Sequence, residues 1–66
     1  MSVVKIVELS ASSPDSFEHA IRNGIRRACE TLNNVRGAWV AQQKVVVEGD
    51  EIAEYRVDMK VSFELD

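Results

Sequence analysis

The spacing of apolar residues changes along the chain and predicts a strand, then a helix, then a hairpin. Ser2 to Leu9 is rich in β-branched residues, which is typical of a strand, and the small polar residues Ser10 to Ser13 are predicted to end it. From position 17 to position 32 apolar side chains recur every three or four residues, which predicts a helix with one buried face. The predicted buried face consists of Phe17, Ala20, Ile21, Gly24, Ile25, Ala28, Cys29 and Leu32.

Both ends of the predicted helix carry residues that favour helix ends. Ser13 is predicted to be the N-cap, Pro14 the first helical residue, and Asp15 an acidic group near the positive end of the helix dipole. Asn33 and Asn34 are predicted to end the helix. Charged residues occupy its other side, which is therefore predicted to face water.

The second half of the chain predicts a long antiparallel hairpin. Its arms run from Val35 to Glu48 and from Glu51 to Asp66, and Gly49 and Asp50 join them. Glycine at the first position of a two-residue loop favours a type II′ turn. The three elements together predict an α+β fold of order β-α-β-β, in which a three-stranded antiparallel sheet partly wraps one long amphipathic helix.

The hairpin register predicts two different faces for this sheet. Unbroken pairing from Glu48 and Glu51 sets Val40 against Met59, on the side of the helix, and sets Ala38 against Val61 there too. The opposite face is then predicted to carry Gly37, Trp39, Ala41, Gln43, Val45 and Val47 beside Arg56, Asp58 and Lys60. So many exposed apolar side chains are unfavourable in a monomer, so this face is predicted to contact other subunits.

Length and composition limit the chain to one small domain. Sixty-six residues support a single core of marginal stability, so residues 1–66 are predicted to form one domain. A hydrophobic content of 45% argues against disorder. The single cysteine, Cys29, cannot form an internal disulfide. Self-association is therefore expected to supply the missing stability.

The charge distribution narrows the expected partners. Eight basic and eleven acidic residues give a net charge of −3 and form no basic stripe, so nucleic acid is not expected to bind. No apolar run approaches the length that a bilayer needs, and no charged-then-apolar leader is present, so neither membrane insertion nor secretion is expected. The free cysteine then favours a reducing cytoplasm.

Few residues suggest catalysis. Cys29 is predicted to be a buried structural thiol, because it lies on the apolar helix face with no histidine in helical register. His19 lies outside that face and is interpreted as a surface or interface residue, and the serines between positions 10 and 16 as turn and capping residues. No phosphate loop or nucleophile motif is present, so an enzyme is not expected.

Two sets of residues are candidates for binding. Glu48, Asp50 and Glu51 at the hairpin turn offer oxygen ligands to a hard cation, although solvated turn charges are the favoured interpretation and the spacing matches no EF-hand. Trp39, with basic residues on its face, offers a ring on which a cation or a flat ligand could stack. A tryptophan packed in an interface is the favoured alternative.

The complete pattern resembles the dodecin family over the full chain. The resemblance rests on the order of the elements and on the segments ELSASSPDSFEHAIRNGIRRACETLNNV and EYRVDMKVSFELD. It implies a hollow, spherical homododecamer built from trimers. It also implies flavin (riboflavin, FMN or lumichrome) held as stacked pairs between tryptophans at subunit interfaces, for storage rather than catalysis.

The sequence departs from this family pattern where the flavin would bind. By the resemblance, the stacking tryptophan falls at Gly37 and the glutamine that bonds the flavin edge falls at Arg56. Glycine has no ring, and arginine only donates hydrogen bonds, so riboflavin and FMN are expected to bind weakly or not at all. Trp39, on the same strand face, is the alternative source of a ring. The segment VRGAWV is more similar to the flavin-less subgroup, some of which binds calcium.

The sequence therefore predicts a homododecameric shell that binds or stores a small ligand. A calcium-binding or purely structural cage without an organic ligand is the alternative. The candidate pocket residues are Gly37, Trp39, Gln43, Arg56 and Lys60, and the candidate cation ligands are Glu48, Asp50 and Glu51.

Overall fold

A computed structural model describes residues 2–65 as one helix on one face of a three-stranded antiparallel sheet. The elements are β1 (Val3–Ser13), α1 (Phe17–Thr31), β2 (Val35–Glu48) and β3 (Glu51–Leu65). The strand order is β1-β3-β2, so the last strand of the chain lies at the centre of the sheet. The α+β fold predicted from the sequence is confirmed.

β1 continues past its predicted end at Leu9. The prediction that Ser10 to Ser13 end the strand is wrong, because all four residues pair with β3. Ala11 lies opposite the buried Val57, whereas Ser10 lies opposite Asp58 and donates a 2.5 Å hydrogen bond to its carboxylate. Small polar residues are tolerated here because alternate side chains of a strand point away from the core.

α1 begins at Phe17, and its N-cap is Ser16 rather than the predicted Ser13. The Ser16 hydroxyl oxygen accepts the backbone N–H of His19 at 3.0 Å, which satisfies one of the free donors at the start of the helix. Ser13 is buried at the end of β1, and its hydroxyl accepts the backbone N–H of Asp15 at 2.9 Å. Ser13 therefore stabilises the turn before the helix.

The core lies between α1 and the centre of the sheet. The helix contributes small side chains and β3 contributes larger ones; the fully or almost fully buried residues are Ala20, Gly24, Ala28, Val57, Met59 and Val61. The predicted helical spacing is confirmed for Ala20, Gly24 and Ala28. Of the helices in residues 2–65, none could cross a membrane.

Cys29 is exposed, so the prediction of a buried thiol is wrong. The buried positions of α1 follow each other at intervals of four, through Ala20, Gly24 and Ala28. Each residue turns the helix by about 100°, so Cys29 points well to the side of the line that these positions define. The contact between helix and sheet is therefore narrower than the apolar spacing predicts.

Gly24 marks the closest approach of α1 to the sheet. A Cβ at this position would overlap the terminal methyl of Met59 and would lie 3.1 Å from Ala11 Cβ and 3.3 Å from Leu9 Cδ1. These contacts come from both β1 and β3, so a side chain at position 24 would push the helix away from two strands at once.

We expect Gly24→Ala to destabilise the fold by up to about 2 kcal/mol, although alanine favours helix. Overpacking a filled core costs about 1–3 kcal/mol, and the gain of about 1 kcal/mol in helix propensity offsets only part of it. Gly37→Ala is the matched control, because a Cβ there meets only Ser62 Oγ, at 3.4 Å. Urea unfolding at one fixed protein concentration measures both; equal stability of the two variants would contradict the close approach.

The hairpin turn is type I′ rather than the predicted type II′. Gly49 and Asp50 both have positive φ, 59° and 63°, whereas a type II′ turn has a positive φ at its first central residue alone. Aspartate is among the residues that tolerate this conformation best, so the second position does not require glycine. The predicted bounds of the hairpin and the pairing of Glu48 with Glu51 are confirmed.

Three β-bulges shift the register of the hairpin, one at Arg36 near its open end and two that bracket its middle. Ala53 is the additional residue on β3 and Ala41 the additional residue on β2, so the two shifts cancel. On the side of Ala41 away from the turn, Val40 pairs with Met59 and Ala38 pairs with Val61, as predicted. Between the two bulges that bracket the middle, every residue of β2 faces the side of the sheet opposite to the predicted one.

Candidate functional site

The sheet face opposite α1, called the outward face below, carries the candidate site. Val57, Met59 and Val61 of β3 are buried toward the helix, so the residues between them point outward. The outward residues of β3 are Glu54, Arg56, Asp58, Lys60 and Ser62. Each of them lies in a row with one residue from a neighbouring strand or from both.

Trp39 and Lys60 share one of these rows, as predicted. Trp39 is 47% exposed and lies opposite Lys60, which in turn lies opposite Glu8 of β1. The Lys60 ammonium nitrogen is 3.8 Å from the Glu8 carboxylate. The structure thus places a half-exposed indole ring beside a surface ion pair.

Two polar rows follow along the same face. In the first, Asp58 lies between Ser10 and Gln42; in the second, Arg56 lies between Ser12 and Lys44. A groove of about 580 Å³ runs beside the first row and is lined by Glu8, Leu9, Ser10, Ala41, Gln42 and Asp58. A small polar ligand would therefore find hydroxyl, amide and carboxylate groups here.

Gln43 does not lie on the outward face, contrary to the prediction. The bulge at Ala41 places Gln43 opposite the buried Val57, and Gln42 takes the outward position. Sequence reasoning missed Gln42 and Lys44 for the same reason. The bulge could not be located from apolar spacing, because the middle of β2 is the polar segment QQK. That segment does show where the alternation of β2 fails.

Gly37 lies on the outward face opposite Ser62, one row beyond Trp39. The Ser62 hydroxyl donates a hydrogen bond of 3.2 Å to the Gly37 carbonyl oxygen. Since a Cβ at position 37 would meet only the Ser62 hydroxyl oxygen, at 3.4 Å, the backbone leaves room for a side chain there. Arg56, the other predicted departure from the family pattern, donates a hydrogen bond from its Nε to the Glu54 carboxylate.

The acidic candidates lie together at the tip of the hairpin. Glu48 and Glu51 oppose each other across the turn, Asp50 lies in the turn itself, and all three are exposed. Nowhere in residues 2–65 are three histidine, cysteine, aspartate or glutamate side chains placed so that they could hold a metal ion. The tip of one chain therefore offers separate carboxylates rather than a cation site.

His19 lies on the surface beside Ser13 and Asp15. Its Nδ1 is 2.7 Å from the Ser13 hydroxyl and 3.5 Å from the Asp15 carboxylate. A catalytic relay needs one partner on each ring nitrogen, whereas here both groups approach the same nitrogen. The arrangement fixes the turn between β1 and α1.

Comparison with known proteins places these features in one family. The family model described as Dodecin matches residues 3–66. The calcium dodecin of Mycobacterium tuberculosis (strain ATCC 25618 / H37Rv) is 32% identical over 65 residues, which cover 98% of this chain and 92% of that protein. Among solved structures, dodecin from Streptomyces davaonensis is similar with a TM-score of 0.94 and 35% identity, covering 98% of this chain and 96% of that one.

A second solved structure connects the fold with a cation. The crystal structure of calcium dodecin from Mycobacterium tuberculosis, a calcium-chelating antigen with a calcium-binding site, has a TM-score of 0.85 and 31% identity to this chain. The similarity covers 98% of this chain and 93% of that one. Sequence and backbone agree over nearly the whole length, and this chain belongs to the dodecin family.

Proposed function

We propose that this chain assembles into a homododecamer built from trimers and stores a small ligand bound on its outward face. Family membership supports the assembly, and so do the apolar side chains that one copy leaves in water. On the outward face Val4, Ile6 and Trp39 are 51%, 48% and 47% exposed. Side chains of this size are normally buried, and a second copy is the simplest cover for them.

The half-exposed ring of Trp39 beside the polar rows carries the proposal of a ligand. A ring with one free face can stack on a flat molecule, while the amide of Gln42 and the hydroxyl of Ser10 can hydrogen-bond its edge. Ligand pockets are lined by such a combination of apolar surface and a few polar groups. When subunits close over this face, the grooves become enclosed.

Mass spectrometry of the intact particle, followed by its denaturation, tests the proposal. We expect a particle of twelve copies and the release of an organic molecule in an amount comparable with the subunits. A twelve-subunit particle that releases nothing would favour a structural cage. A folded monomer at micromolar concentration would overturn the assembly.

We expect Arg56→Ala to weaken assembly about tenfold or more, and Arg27→Ala to change it little. Removal of Arg56 leaves the Glu54 carboxylate without its partner on a face that the assembly covers. Arg27 lies on the exposed side of α1, where its ion pair with Glu30 (3.4 Å) stays in water. Sedimentation velocity over a dilution series compares the two variants; equal losses would show that the outward face is not the interface.

Calcium is the second candidate ligand, and the relationship to calcium dodecin favours it. Calcium takes six to eight oxygen ligands, whereas Glu48, Asp50 and Glu51 of one chain form no joint site. We propose that carboxylates from more than one copy would have to meet around the ion. The same mass spectra report bound calcium as extra mass that a chelator removes from the intact particle.

Binding rather than catalysis is the proposed role. The one Ser–His–Asp group, at Ser13, His19 and Asp15, lacks the geometry of a relay, because both partners approach Nδ1. We place the particle in the cytoplasm, a reducing compartment in which an exposed thiol such as that of Cys29 stays reduced.

A further inference from the structure

The outward face carries two cations directly opposite each other. Lys44 of β2 and Arg56 of β3 are partners in register, and Ser12 of β1 flanks Arg56 on its other side. Residues opposite each other in a sheet bring their Cβ atoms within about 5 Å, and like charges in this position destabilise the pairing. Such a pair needs compensation from an anionic group.

The acids of the same chain compensate this pair incompletely. The Arg56 Nε is bonded by Glu54, while its terminal nitrogens keep their donors. The other acid nearby, Asp58, accepts a hydrogen bond from Ser10 on the β1 side. Within residues 2–65 no ion pair includes Lys44. The ammonium of Lys44 and the free edge of the guanidinium thus face one space.

The space beside the cations is large enough for a small ligand group. One groove, of about 290 Å³, runs between β1 and the cations and includes the hydroxyl of Ser12. Another, of about 320 Å³, lies toward β2. Both are lined by Lys44, Arg56 and Asp58. Glu54 and Asp58 lie on either side of Arg56 along β3 and repel an anion. The favourable position is therefore over the row of Arg56 itself, where Lys44 on one side and Ser12 on the other supply donors.

From this juxtaposition we propose that Lys44 and Arg56, with Ser12, bind the phosphate or carboxylate group of a small ligand. The inference rests on the proposed function, since it names the chemical class of the molecule that the outward face stores. A guanidinium binds such groups through two parallel hydrogen bonds, and an ammonium adds a point charge. Arg56 therefore changes which ligands the outward face selects. It offers no hydrogen-bond acceptor to a ligand that needs an amide oxygen, and it favours an anion.

Titration of the intact particle with inorganic phosphate, followed by ³¹P NMR at constant ionic strength, tests the proposal. We expect saturable binding that Lys44→Gln and Arg56→Gln each weaken about tenfold or more, the usual effect of losing a charge-assisted hydrogen bond. Lys44→Arg should retain binding. Arg26→Gln is the matched control, because it removes the same charge from the exposed side of α1 and should leave the affinity unchanged.

A parallel titration with acetate distinguishes a phosphate ligand from a carboxylate ligand, since the ion that binds more tightly identifies the group. No saturable binding of either ion by an assembled particle would overturn this inference and leave the assembly intact. Equal weakening by Arg26→Gln would also overturn it, because the attraction would then be diffuse. If Arg56→Gln dissociates the particle, Lys44→Gln alone decides, since it leaves the Arg56–Glu54 pair in place.

Discussion

Riboflavin is expected to bind the double variant Gly37→Trp with Arg56→Gln about tenfold to a hundredfold more tightly than it binds the natural chain. An aromatic pair contributes about 0.5–1.5 kcal/mol beyond the area that it buries, and a buried hydrogen bond contributes a similar amount. Each step of 1.4 kcal/mol is about tenfold in affinity, so two restored contacts, together about 1–3 kcal/mol, give about one to two orders of magnitude.

The structure accepts both substitutions. A side chain at position 37 starts with only Ser62 Oγ near its Cβ, at 3.4 Å, and Arg56 is exposed on the same face. Gly37 lies opposite Ser62, which is six residues along β3 from Arg56, a separation of about 20 Å in an extended strand. One ring system cannot touch both positions of a single chain, so the restored contacts must come from different copies.

Fluorescence titration of riboflavin against the intact particle measures the gain. Gly37→Trp with Lys60→Gln is the matched control, because it carries the same ring and the same charge change but places the amide at Lys60. We expect this control to gain only the contribution of the ring. Tight quenching by the natural chain would contradict the prediction and would show that Trp39 supplies the stacking ring instead.

Helix and hairpin could be predicted from the sequence because their signals are local and strong. The bounds of the hairpin follow from Gly49 and from the alternation of β3. The buried positions of the helix follow from the spacing of its apolar residues. The end of β1 could not be predicted in this way. Ser13 and Ser16 offer equivalent capping hydroxyls, and the pairing of β1 with the distant β3 decides between them. Spacing within one segment does not report that contact.

The β2 residues of the candidate site could be predicted only where the register is unbroken, whereas Arg56 and Lys60 follow from the alternation of β3 alone. Gly37, Trp39 and Lys60 lie beyond the bulge at Ala41, and the structure places all three on the predicted face. Gln43 lies between the bulges at Ala41 and Ala53 and is therefore on the other side. Because one additional residue reverses every side chain until a second one restores the pattern, a small local irregularity changed which polar groups reach the ligand face.

Met59→Ala is expected to lower the unfolding midpoint strongly at every protein concentration. Met59 is 1% exposed and packs against Ala20 and Val57 in the only core cluster identified in residues 2–65. Removal of a buried side chain of this size costs about 2–5 kcal/mol. A domain of this length rarely obtains more than about 3–5 kcal/mol from its core, so the loss is comparable with the whole stability of one copy.

Ile6→Ala gives the matched comparison on the outward face, where Ile6 is 48% exposed. If other copies cover this residue, its loss weakens association rather than the fold of one chain. The unfolding midpoint of this variant should then fall at low protein concentration and recover at high concentration, whereas that of Met59→Ala should not recover. Circular dichroism in urea, repeated over a hundredfold range of protein concentration, separates the two behaviours. An Ile6→Ala midpoint that matches the natural chain at every concentration would show that this part of the outward face stays in water.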